Sequence, residues 1–404
     1  MATQSSRSLH QMEAIMGPDP LTEALRGKVR ELIETLVDAE LTEVLAAVPY
    51  QRSQTRQGYR HGHTARTLTT GLGPTRLTLP RARLQTGAGT EEWQSRLLPR
   101  YQRRAAAVDG ALLGAYCSGA NGRRIKGALR PLLRDAPLSK SAVSRVVGRV
   151  KALYDEWHQR PLQEERYVVL YLDAIALRVR LAQKVTAVPV LVAVGVRADG
   201  QKVVLDLELL TSESTAAWQG LVESLIARGL RRPQLAVIDG NPGLRAAVEI
   251  SWPGLAVQRC VVHKLRNLER HAPRHAHDEL RADYHRIVYA ESVTLARQAT
   301  RAFLATWEKR APKVAESLRE AGDELLTFYR FPSSQWKALR TTNAIERLNG
   351  EFRRRVKTQG ALPTAQAAEV LLFALLLTGQ ITMRRIDGWR QLRARPVTTA
   401  PEAA

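Results

Sequence analysis

Arg340 to Pro363 reads RTTNAIERLNGEFRRRVKTQGALP, a basic stretch that carries the carboxylate of Glu346. Ile345, Leu348, Phe352 and Val356 recur at helical spacing and mark a buried stripe. Glu346, Arg353 and Lys357 share a second face, turned about a quarter-circle from that stripe at ~100° per residue. The spacing sets Glu346 at the edge of a core, where a metal-binding carboxylate flanked by phosphate-binding cations belongs. The plainer reading makes Asn343 an N-cap and Glu346 its capping-box partner, with no chemistry for either. Glu351 is the alternative acid, but it lies ~140° round the helix from Glu346, so the two do not face one metal pair.

Two further acids lie upstream, each at the end of a strand-like run or within one. Arg166 to Arg180, RYVVLYLDAIALRVR, is apolar and β-branched with one acid, Asp173, in its middle. A lone carboxylate buried in a strand is costly unless it is paired or coordinates a metal. Val188 to Arg197 and Lys202 to Leu210 read as the next two strands, joined by the turn Ala198-Asp199-Gly200. Thr215 to Arg228 is an amphipathic helix that stops at Gly229. Gln234 to Asp239 then runs as a fourth strand straight into its acid, and Leu255 to Arg259 makes a short fifth. Taken alone, Asp239 is also a turn former ahead of Gly240, Asn241 and Pro242.

Three antiparallel-type strands, a helix, a strand, a helix and a strand is the order of an RNase H-like core, an α/β fold with a mixed sheet. In that order the first and fourth strands are neighbours, so Asp173 and Asp239 meet at one sheet edge, the arrangement a two-metal nuclease core requires. Lys264 to Trp336 is helix-forming throughout and reads as an all-helical insertion that separates Glu346 from the other acids in sequence. Ala365 to Thr378 is an apolar helix that covers the sheet. The expected division is 1–50, acidic amphipathic helices able to dimerise; 51–162, a mainly helical DNA-binding region; 163–263, the first part of the core; 264–339, the insertion; 340–385, the returning helices; and 386–404, a tail.

Charge supports a polyanionic partner. Lys and Arg number 61 against 39 Asp and Glu, a formal charge of +22. Residues 51–150 hold 19 basic and 4 acidic side chains, whereas residues 1–50 hold 4 and 8. Arginine dominates the basic block, as suits bidentate grip on phosphates. Two cysteines, Cys117 and Cys260, imply no disulfide framework, and no apolar run approaches the ~20 residues that span a bilayer. A cytoplasmic protein with no membrane contact is expected.

Within the basic block, Gln51 to Arg83 alternates apolar and polar residues around Gly71 and Gly73, as a hairpin does, with arginines facing water or DNA. Ala105 to Tyr116, Arg123 to Arg134 and Ser139 to Tyr154 read as helices, the last two with the outline of a helix-turn-helix. Ser139 or Ser141 is its N-cap, and Lys140, Ser144, Arg145 and Arg149 reach a major groove; the plain reading is a solvated basic face.

These motifs, in this order, resemble the bacterial insertion-sequence transposases of the mutator type. RTTNAIERLNGEFRRRVKTQGALP is close to that family's signature around its last catalytic glutamate, YLDAIALRVR to the segment of its first aspartate and VIDGNPGL to that of its second. CVVHKLRN is similar to the family's Cys-x-x-His signature, and RQGYRHG, LTLPRAR and LSKSAVSRV match its DNA-binding half. The resemblance spans about Thr55 to Pro363. It departs where Gly240, Asn241, Pro242 and Gly243 replace Gly-Leu-Lys-Gly, which removes one cation near the site.

The resemblance implies a DDE triad of Asp173, Asp239 and Glu346 holding two Mg²⁺ or Mn²⁺ ions, the hard cations such oxygens select. It implies cleavage at the terminal inverted repeats of double-stranded DNA and joining to a target by a homodimer or larger assembly. Arg347, Arg353, Arg354 and Lys357 are expected to hold the DNA backbone, or else to form a solvated basic face. Cys260 and His263 are expected to pack and hydrogen-bond beside the sheet, with His263 able to touch the scissile phosphate; a zinc site completed by His271 and His275 is the other reading. Two rival functions remain: a nuclease or resolvase on the same core that cuts without joining, and a DNA-binding regulator whose catalytic core has decayed.

Overall fold

A computed structural model of the chain describes residues 19–392 apart from 52, 88, 119, 121, 130–132, 134–139, 182–183, 211–212, 358–361 and 363. It divides into two units, Met1–Gly148 and Arg149–Ala404.

The first unit starts with one long helix, α1 (Pro20–Leu45), whose N-terminus is capped by the Asp19 carboxylate accepting from Thr22 N at 3.2 Å. Strands β1 (Gly58–Thr70), β2 (Gly73–Thr86) and β3 (Gly89–Glu92) form an antiparallel sheet in chain order. The β1–β2 hairpin closes at Thr70 opposite Gly73, whose φ of 102° favours glycine. Alternation along β2 buries Leu77 and Leu79 on the face where Val37 of α1 joins Leu68 and Leu98. The apolar stripe of α1 is thus used within the unit, while Leu21, Leu25, Leu32 and Leu36 remain exposed.

Of the hairpin arginines expected to face water or DNA, Arg81 is exposed, and three, Arg81 among them, also have partners within the unit. Arg60 pairs with Asp38 at 2.6 Å, Arg81 with Glu92 at 3.0 Å, and Arg66 donates to the carbonyls of Leu98, Pro99 and Gln102. Helices α2 (Ala106–Cys117), α3 (Gly122–Ala128) and α4 (Lys140–Gln159) follow, and Val108, Leu112, Ile125, Leu133 and Val146 share one small core. The expected turn before α4, with Ser139 and Leu138, lies outside the described residues.

In the second unit, β4 (Tyr167–Leu181), β5 (Lys184–Arg197) and β6 (Lys202–Leu209) form an antiparallel meander, and β7 (Leu235–Ile238) and β8 (Val257–Arg259) add in parallel on the other side of β4. The strand order is β6-β5-β4-β7-β8. Leu170 and Leu172 of β4, Leu191 of β5, and Ala236 and Ile238 of β7 turn to one face. There they pack on Trp218, Leu221 and Leu225 of α5 (Thr215–Ala227) and on Leu244 and Val248 of α6 (Pro242–Ser251). With a side-chain period of two, the alternate residues of β4 face the opposite layer.

Helices α7 (Val261–His271), α8 (His277–Val288), α9 (Val293–Arg310), α10 (Pro312–Ala321) and α11 (Ser333–Leu339) follow β8. They bury their own cluster around Tyr284, Phe303, Trp307 and Leu318. The chain returns in α12 (Asn343–Lys357), packed against β4, and α13 (Ala365–Leu377), packed against β4 and β6. Among the described residues no helix is long and apolar enough to cross a membrane. The molecule is a mixed α/β protein.

Candidate active site

Asp173 is at the middle of β4 and only 6% exposed. Its neighbour Leu172 pairs with Ile238, the last residue of the parallel strand β7, so Asp173 and Asp239 occupy the next step of the same register. Parity turns both away from the α5–α6 core and toward the layer that holds α12. Asp173 is fastened there: Oδ1 accepts from Ala174 N at 2.9 Å, and Oδ2 accepts from Asn349 Nδ2 of α12 at 3.2 Å. Asp239 Oδ1 accepts from Asn241 N at 2.9 Å, so the turn-forming role is real and occupies one oxygen. Gly240 follows at φ 96°, where a Cβ would come within 2.6 Å of the Arg259 guanidinium. Asn241, in the segment that departs from the family pattern, caps α6 by accepting from Leu244 N at 3.2 Å.

Glu346 comes to this edge through Cys260. Cys260 N donates to Ile238 O at 2.7 Å, one residue before Asp239, and Cys260 Sγ accepts from both Thr342 N and Thr342 Oγ1 at 3.3 Å. Val261 N bonds Arg340 O at 3.0 Å alongside. The two ends of the helical insertion are therefore laced together, and the Thr342 carbonyl accepts the first bonds of α12 from Ile345 N and Glu346 N at 2.8 and 2.9 Å. This corrects the capping-box expectation. Thr342 caps the helix, Asn343 is its first residue, and Glu346 Oε1 points to His263 Nε2 at 3.5 Å and Arg266 Nη1 at 3.4 Å.

Electrostatics tie the group together. Burial, then the charge of Asp239, pushes the Asp173 carboxyl up to about 7, with Glu346 adding to the rise and His263 opposing it. The hydrogen bond with Cys260 raises His263 to about 9 against its burial, helped by the charges of Cys260, Asp173 and Asp239. A fourth acid, Glu213, is raised by burial and by Asp239, and its Oε2 accepts from Asn241 Nδ2 at 3.3 Å. Among the described residues no three His, Cys, Asp or Glu side chains form a ready metal cage as placed. Of the residues in the zinc reading, Cys260 is fully buried against Thr342, while His271 and His275 are exposed.

The basic residues separate by face. Arg353 and Lys357 are exposed along the Glu346 side of α12, whereas Arg347 and Arg354 line a cavity on its flank with Glu351, which pairs with Arg354 and Arg355. Arg145 and Arg149 are exposed on α4, which Lys140 begins. Sequence reading passed over Asn349, Arg266 and Glu213. The first was detectable as a polar residue one position from the apolar stripe of α12; the other two carry no local signal.

A family model described as Transposase, Mutator family, matches residues 1–381. The chain belongs to that family. Similar relatives include the transposase for insertion sequence element ISRM5 of Rhizobium meliloti, 34% identical over 361 residues, covering 89% of this chain and 88% of the relative. The transposase for IS406 of Burkholderia multivorans is 34% identical over 362 residues, 89% and 90% of the two chains. That for IS1081 of Mycobacterium tuberculosis is 32% identical over 384 residues, 94% and 91% of the two. Among solved structures, the Drosophila P element transposase strand transfer complex aligns at 9% identity and a TM-score of 0.31, over 70% of this chain and 82% of that one, a likeness too slight to bear on the fold.

Proposed function

We propose that this mutator-family transposase cuts DNA at the ends of its insertion sequence and joins the freed ends to a target, using Asp173, Asp239 and Glu346 on an RNase H-like sheet. The observation that carries the reading is the convergence of the three acids: two on neighbouring parallel strands, and the third returned to them by the Cys260–Thr342 bonds. The side-by-side placement of the second unit's first and fourth strands, in the order β6-β5-β4-β7-β8, supports the RNase H-like reading.

The donor set suits two divalent cations of the Mg²⁺ or Mn²⁺ class. Three carboxylates supply hard oxygens, and the buried Oδ1 of Asn349, beside Asp173, has no hydrogen-bond partner. Asp173, Asp239 and Glu346 would hold such a pair, which when bound would activate the attacking oxygen and stabilise the leaving one in an in-line phosphoryl transfer.

The chain's own residues do the rest. Asn349 holds the Asp173 carboxylate in one rotamer. Arg266, and His263, whose proton affinity is raised by Cys260, place positive charge beside Glu346, where a phosphodiester's non-bridging oxygens gain most from it. Arg353 and Lys357 extend that charge along the backbone path. Water attacks the first phosphodiester and releases a 3′-OH; that hydroxyl attacks a second phosphodiester and releases another 3′-OH. Each step exchanges one P–O bond for another, so no covalent protein intermediate is needed. Pairing two ends calls for at least two copies of the chain on DNA, which the mass of the end-bound complex reads directly.

The decisive assay supplies a pre-cut end carrying a 3′-OH together with supercoiled plasmid and Mg²⁺. The reading expects a joined product, lost with Asp173→Asn, Asp239→Asn or Glu346→Gln while DNA binding persists. Cutting without any joined product would establish a nuclease instead. Unchanged activity in the three variants would remove the acids from the chemistry.

A further inference from the structure

On the flank of α12 lies a cavity of about 130 Å³ lined by Lys202, Arg347, Glu351, Arg354, Met383 and Arg384 among others. Four of these are cations and one is an acid. That acid, Glu351, is engaged by Arg354 and Arg355. The nearby Asp387 pairs with Lys337 at 3.3 Å. Among the described residues, Lys202, Arg347 and Arg384 have no carboxylate within ion-pair distance.

The cations are held together by the fold. Lys202 opens β6 just beyond the turn at Gly200, whose φ of 83° and contact with Trp389 leave no room for a Cβ. A strap after α13 crosses this turn: Gln201 Nε2 donates to Met383 O at 2.7 Å, and Ile386 N donates to Gly200 O at 3.0 Å. Arg384 lies between these two anchors. Burial and the charges of Arg347 and Arg384 lower the Lys202 ammonium below its ordinary value, with Asp387 opposing them. Arg354 shares Glu351 with Arg355, and the other three cations outnumber the acids beside them, which makes a site that gains from an anion.

The cavity is separate from the acids. Arg347 is one residue past Glu346, about 100° round the helix, and Arg354 returns to the face of Arg347 two turns later. None of Asp173, Asp239 and Glu346 lines the cavity, so an anion here is not the phosphate at Asp173.

We propose that Lys202, Arg347, Arg354 and Arg384 form a second phosphodiester-binding site, which grips the DNA backbone on the flank of α12 apart from the reacting phosphate. The site rests on the reading of Asp173, Asp239 and Glu346 as the reaction centre, because only then does α12 lie along bound DNA. The phosphate comes either from the element end or from the target duplex.

The test uses the full chain and its Lys202→Gln/Arg384→Gln variant, without divalent metal so that nothing is cut. One arm measures anisotropy of a labelled end duplex across a salt series; the other measures capture of a random duplex by the protein already holding an end. Loss of roughly tenfold in affinity, with a salt slope lower by about 1 to 2, is expected in at least one arm, and the arm that moves names the source. Unchanged affinity and slope in both arms overturn the proposal. If the double variant does not fold by its thermal melt, Arg384→Gln alone, on an exposed side chain, carries the same test with a slope change of about 1. A separate cleavage assay with Mg²⁺ on Asp173→Asn reads the acids, while metal-free binding by the cavity variant reads the cavity, so either reading can fail alone.

Discussion

Asp173 is an acid placed where ionisation is costly. Burial and the neighbouring Asp239 raise it from an ordinary 3.8 to about 7. The unfolded chain loses this proton near pH 4 while the folded chain keeps it to about 7. The contribution of Asp173 to stability is therefore fully present below pH 4 and is lost as pH rises through that window. Asp173→Asn removes the penalty. Its melting temperature is expected to match the wild type near pH 4 and exceed it at pH 8, by an amount equivalent to a few kcal/mol at ~1.4 kcal/mol per pH unit. Millimolar Mg²⁺ should raise the wild-type melt at pH 8 and leave Asp173→Asn nearly unmoved; equal shifts in both would detach the cation from this carboxylate. Asn349 belongs to the same argument. Asn349→Ala frees Asp173 Oδ2 and is expected to slow end cleavage by about 10- to 100-fold, the usual cost of losing a residue that orients a ligand. Cleavage at the wild-type rate, with folding intact, would reduce Asn349 to packing.

At the scale of elements, the connection that matters is a sulfur. Cys260 bonds β7 through its backbone and the start of α12 through Sγ, so one residue couples the strand of Asp239 to the helix of Glu346. Cys260→Ala leaves Thr342 N buried without an acceptor and Thr342 Oγ1 with only His263 Nδ1 at 3.4 Å, at about 1–3 kcal/mol for a buried unsatisfied group. The expected outcome is a lower melting temperature and a larger loss in cleavage than in DNA affinity, with Cys260→Ser, which restores an acceptor, recovering part of both. Equal losses of cleavage and affinity would indicate general unfolding rather than a misplaced α12. The insertion behaves as its own element: the Tyr284, Phe303 and Trp307 cluster packs without the strands of the sheet.

Across the whole chain, net charge is the property with the widest reach. A formal +22 on 404 residues makes counterion release a major part of DNA affinity. Association with end and random duplexes is expected to fall by about 10³ or more between 50 and 200 mM salt, as for six or more phosphate contacts. A shallow slope, near one contact, would place the charge in internal pairs instead. Some of it does lie there, since Arg60, Arg66 and Arg81 bond within the first unit.

Local pattern determined a good deal by itself. Apolar runs marked β4 to β8 to within a few residues, and alternation marked the β1–β2 hairpin without its strand ends, because a half-buried strand or a fully buried one leaves its period in the chain. The acids of β4 and β7 were legible because charge inside or at the end of an apolar run is conspicuous. Only tertiary structure decided which groups hold those acids. Asn349 reaches Asp173 across 176 residues and Thr342 reaches Cys260 across 82, and no sequence period reports a hydrogen bond between elements that distant in the chain. The same holds for the cluster at Lys202 and Arg384, which exists because a strap lies across a turn, and for the hairpin arginines, whose partners are carbonyls and acids that folding brought within reach.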